Sequence, residues 1–93
     1  MKLPNRARAY IPSPNMIHEL DSIVLTHDID EYGLKRCDVG AVVHRYQDGT
    51  AFEVEFVTAE GATIALLTLS WADIRPIHGK EVLHVRELVQ VAA

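Results

Sequence analysis

The chain has one cysteine, Cys37, among 93 residues, so no intramolecular disulfide can staple it. That fits a reducing cytoplasm, the location expected here. No apolar run approaches the ~18–20 residues of a membrane span. Lys2, Arg6 and Arg8 have no apolar segment behind them, which argues against a secretory signal. There is no P-loop, no G-x-G-x-x-G, no H-E-x-x-H, no paired cysteine and no Ser-His-Asp spacing, so no catalytic residue, cofactor or metal ligand is assigned. The expectation is a protein that is not an enzyme.

Positive charge is scarce beyond the start. Residues 1–16 hold three bases and no acid, leaving six bases and thirteen acids, a net −7, in residues 17–93 and −4 overall. Such a body repels a phosphate backbone, so a nucleic-acid-binding barrel ranks below a protein partner. At this length one domain with a small core is expected.

Residues 1–16 carry three of the four prolines, which excludes a long helix or central strand and leaves an extended arm. Tyr10 and Ile11 are its bulky apolar pair, suited to anchoring it on the body or on a second copy in a homodimer. Residues 17–78 then read as short β-rich runs between turns. Strands are expected at 21–27, 38–47, 51–57, 62–69 and 74–76. Asp48-Gly49 marks a tight hairpin. In AFEVEFV, Phe52, Val54 and Phe56 face one way and Glu53 and Glu55 the other, keeping the outer face soluble. ATIALLTL is apolar on both faces, as a central strand would be. Ser70-Trp71-Ala72-Asp73 reads as one helical turn. The C-terminal segment, 79–93, fits a short helix or a strand, with the helix preferred because Gly79 and Glu81 suit a helix start. Between the first two strands, Gly33 bends a long loop. Asp38 is placed to bond turn N–H groups, and Gly40 admits a close crossing.

The remaining motifs are weaker. Asp28, Asp30 and Gly33 match positions 1, 3 and 6 of a calcium loop, but Tyr32 and Val39 stand where carboxylates are required, leaving a solvated acidic loop. His18, His27, His44, His78 and His84 show no ligand spacing. Cys37, beside Lys35 and Arg36, reads as a turn or core thiol. Tyr32, Tyr46 and Trp71, together with Tyr10, are the candidate partner-contact residues. Trp71 alone would equally serve as a plug in one end of a barrel.

Residues 19–86 resemble domain-of-unknown-function family 4926, a small bacterial group. The match rests on Glu19-Leu20-Asp21, Val24-Leu25-Thr26, Glu31-Tyr32-Gly33-Leu34, Asp38-Val39-Gly40, Val42-Val43, Tyr46, Asp48-Gly49, Glu53-Val54-Glu55-Phe56, Leu69, Arg75-Pro76 and Glu81-Val82-Leu83. The resemblance implies an SH3-like barrel and implies no activity; the residue pattern itself gives an all-β chain of about five strands, with Gly33, Asp38, Gly40 and Gly49 as structural turn residues. The family's usual glycine before the Asp is Cys37 here, which argues against a positive φ at that residue. MKLPNRARAYIP is similar to the start of another small bacterial family whose members are encoded beside such barrels. Two functional readings follow: a protein-interaction module using an aromatic-lined groove or an open sheet edge, and an antitoxin or immunity-type partner of an adjacently encoded protein.

Overall fold

The computed structural model describes residues 17–88. The arm with Tyr10, and the end of the C-terminal segment, lie outside the described residues. Five strands form: β1 (Ser22–Leu25), β2 (Val39–Arg45), β3 (Ala51–Val57), β4 (Thr63–Ser70) and β5 (Ile74–Pro76). They make one antiparallel sheet in the order β4-β3-β2-β1-β5.

Alternation builds the core. Phe52, Val54 and Phe56 of β3 are buried on one face and pair with Leu69, Leu67 and Ala65 of β4. Val42, Ile23, Leu25 and Ile74 continue that layer, and Ile17 and Leu34 complete it from outside the strands. Register shifts between Val42 and His44, and between Phe56 and Val57, curve the sheet around these side chains. Gly40 of β2 leaves room on the core face for the side chains of the neighbouring β3: a Cβ there would sit 2.7 Å from Phe56 Cε1 and 2.8 Å from Val54 Cγ1.

The loop between β1 and β2 leaves and returns at one residue. The Leu25 N–H donates to the Asp38 carbonyl (3.0 Å), and the Cys37 N–H donates to the Leu25 carbonyl (2.9 Å). Within it, Ile29 and Leu34 exchange backbone hydrogen bonds around a single 3-10 turn, Asp30–Tyr32, which Gly33 ends at φ 71°.

Four expectations are corrected. The SH3-like barrel does not close, because β4 and β5 are opposite edges of the sheet and do not pair. β5 is three residues long and ends at Pro76, which has no N–H to donate to a ladder. β4, apolar enough to read as central, is itself an edge strand. The described residues contain no α-helix: Ser70 to Asp73 is a turn closed by the Asp73 N–H on the Ser70 carbonyl (2.9 Å), and residues 81–88 adopt neither helix nor strand. Finally, Cys37 does take a positive φ, 75°. Its own N–H on Leu25 and the Asp38 N–H on the Lys35 carbonyl (2.9 Å) fix the backbone on both sides, overriding the preference of a side chain.

Candidate functional site

Two features stand out: a clasped groove beside Asp38 and the bare edge of β4. The groove, about 300 Å³, lies between the 34–39 corner, the β3–β4 turn and the C-terminal segment. Leu34, Phe56, Val57 and Ile64 form its apolar floor and wall, and Leu88 borders it from the tail.

Its polar groups are engaged with one another. Arg86 donates from Nε to Asp38 Oδ1 (2.9 Å) and from Nη2 to Asp38 Oδ2 (2.5 Å), and Nη2 also reaches the Gly33 carbonyl (2.9 Å). The Lys35 N–H adds a bond to Asp38 Oδ2 (2.8 Å). Partial burial pushes the Asp38 carboxyl up, but the Arg86 fork and the Lys35 N–H outweigh it and hold the group below its usual range. A carboxylate so saturated is an anchor rather than a free acid or base.

A second clasp holds the start of the tail. Arg75 donates to both oxygens of Glu81 (2.9 and 2.6 Å), and the His78 N–H donates to Glu81 Oε1 (2.6 Å). Arg75, then the His78 N–H, draw the Glu81 pKa down to about 2. Val82, Leu83 and Val85, between the clasps, are nevertheless exposed.

The two sheet edges differ in kind. β5 carries Arg75 and Pro76, both of which discourage further pairing. β4 reads TIALLTLS: eight residues without a charge, a proline or a glycine, and with Leu66 57% exposed on the outer face. Beside it, the β3 carboxylates are held in place. Thr68 Oγ1 (2.5 Å) and the Tyr46 hydroxyl (2.8 Å) donate to Glu53 Oε2, and Thr63 Oγ1 donates to Glu55 Oε2 (2.8 Å). The Thr68 and Tyr46 bonds keep Glu53 ionised to lower pH than usual.

The aromatics are not gathered. Tyr32 sits on the 3-10 turn, Trp71 in the β4–β5 turn, and Tyr46 after β2, edge-on to His44 at 4.8 Å; none of the three lines the groove. Among the described residues, no group of three His, Cys, Asp or Glu side chains is placed to hold a metal. Asp28 accepts the Arg36 N–H (2.8 Å), and Lys35 lies against both Asp28 and Asp30. Cys37 is exposed, with a free thiol.

Sequence reasoning missed the pairing of His27 with Asp73. His27 Nε2 is 2.9 Å from Asp73 Oδ1, and Nδ1 is 2.9 Å from the Asp28 carbonyl. Both neighbours are acceptors, so the cationic ring can donate to both, and the Asp73 bond followed by the Asp28 bond raises the His27 pKa. Ser70, through its N–H (2.9 Å) and hydroxyl (3.1 Å), fills the other oxygen of Asp73. With Asp73 between the other two side chains, this is a brace across the β4–β5 turn, not a nucleophile with its base.

Residues 19–76, more than half of the chain, match the model of the family described as Domain of unknown function (DUF4926), and the chain belongs to that family. No curated protein and no solved structure matches it. Among the described residues, no helix is long and apolar enough to cross a membrane.

Proposed function

We propose that this family member is a non-enzymatic protein-interaction module that binds its partner by strand addition at β4. One observation carries the reading: an eight-residue edge strand with the composition of an interior strand. Edge strands left solvent-exposed normally carry charges, prolines or bulges that prevent pairing. β5 has two of these devices; β4 has only the bulge at Ile64, near one end, and none from Ala65 to Ser70. A partner strand would satisfy the outward backbone groups of β4 and cover Leu66, the arrangement of β-augmentation. The polar groups best placed for chemistry, Asp38, Glu53 and Glu81, are already saturated by Arg86, Thr68 with Tyr46, and Arg75.

Hydrogen exchange on the isolated chain and on its native complex tests this. Alternate amides of Thr63–Ser70 should slow by about tenfold or more in the complex. Leu66→Lys should abolish the complex without changing the circular dichroism spectrum of the isolated chain. A native complex that leaves those amides unchanged and tolerates Leu66→Lys overturns the reading.

A further inference from the structure

We infer that the strand added at β4 is β4 of a second copy, joined antiparallel across a two-fold axis into a continuous ten-stranded sheet; this rests on the reading of β4 as a binding edge. The first argument is charge. An edge strand that pairs with itself sets each side chain near its own kind, and any charged position would face a like charge. TIALLTLS contains none, and the neighbouring Glu53 and Glu55 are bonded to Thr68, Tyr46 and Thr63 on the same sheet.

The second argument is register. Paired residues in an antiparallel sheet share a face, so a two-fold perpendicular to the sheet must pass through a residue paired with its own counterpart. With the axis at Leu66, that side chain, now 57% exposed, meets its equivalent on the outer face. Thr68 shares that outer face, whereas Ile64, the extra residue of the bulge, packs against the core and stays out of the seam. Ala65 lies opposite Leu67 on the core face, a small side chain against a large one.

The third argument is closure. Pairing of β4 with the β5 edge of another copy would be head-to-tail and would extend without limit. Pro76 and the Arg75–Glu81 clasp obstruct that edge. The isologous β4 pair stops at two.

Sedimentation velocity across a concentration series tests the inference, using wild type, Leu66→Lys, and two cysteine variants in a Cys37→Ser background. Wild type should dimerise. Leu66→Lys should raise the dimer dissociation constant by about tenfold or more while leaving the circular dichroism spectrum unchanged. Under mild oxidation, Leu66→Cys should form a covalent dimer, and Val43→Cys, on the outer face of β2, should not. A wild type that stays monomeric up to high micromolar concentration overturns the second copy as occupant. The binding-edge reading would then still stand or fall on the exchange experiment with the native complex. A dimer indifferent to Leu66→Lys, or one cross-linked equally through Val43→Cys, places the interface elsewhere and overturns the inference.

Discussion

Arg86 grips both carboxylate oxygens of Asp38 across 48 residues of sequence. The contact joins an otherwise irregular tail to the corner that starts β2. Both side chains are mostly buried, so the fork is screened less than a surface pair. Arg86→Ala should destabilise the fold by about 1–2 kcal/mol, the range for hydrogen bonds to charged groups after allowance for partial exposure. Arg86→Lys, which keeps the charge but cannot fork, should recover less than half of that. Urea denaturation measures both. Exchange of the amides in 81–88 should accelerate in parallel.

Gly40 is expected to be intolerant of any side chain. Gly40→Ala should cost about 1–3 kcal/mol, because its methyl would meet Phe56 and Val54 well inside contact distance. A double-mutant cycle with Phe56→Leu should show favourable coupling, since the smaller side chain opens the space. Additive losses would place the strain elsewhere.

The left-handed backbone at Cys37 makes a prediction of opposite sign. An L-residue there is strained by about 1–2 kcal/mol, and glycine gives back about 0.5–1 of that through its freer unfolded chain. Cys37→Gly should therefore stabilise by about 0.5–1 kcal/mol. Cys37→Val should destabilise, because β-branching disfavours positive φ further. Thermal melts of the three proteins under reducing conditions decide the order.

Stability should fall toward both acid and alkali. Glu81, Asp38 and Asp73 have pKa values below their ordinary 4.5 and 3.8, with Glu81 near 2. Their contribution is complete above the unfolded values and is lost as pH falls from about 4.5 toward 2. His27 has a raised pKa, so its contribution is complete below its ordinary 6.5 and is lost as pH climbs through the folded value. The melting temperature should peak between pH 5 and 6. Glu81→Gln should flatten the acid limb and His27→Gln the alkaline one. An unaltered alkaline limb in His27→Gln would remove the Asp73 contact as its source.

Local chemistry made most of the sheet legible. The alternation of Phe52, Val54 and Phe56 gives β3 its bounds and its buried face, and Asp48-Gly49 marks the hairpin before it. Strand position was less legible, because an apolar run such as TIALLTLS reports burial against something without saying what. The tail misled for a related reason. Val82, Val85 and Val89 have helical spacing, but Arg86–Asp38 and Arg75–Glu81 are tertiary contacts, and they hold residues 81–88 out of a helix. The aromatics carried the expectation of one shared groove. Their spacing along the chain could not show that Tyr32 and Trp71 belong to different turns, or that Tyr46 would bond Glu53.

Because Leu25 holds both ends of the 26–38 segment, that excursion is tied off like a knot at its neck. Residues spliced in at its tip, between Asp30 and Gly33, would enlarge the bight without pulling on the ladder that β1 shares with β2 and β5. The tip is thus a place where a foreign peptide could be displayed with the sheet left as it is.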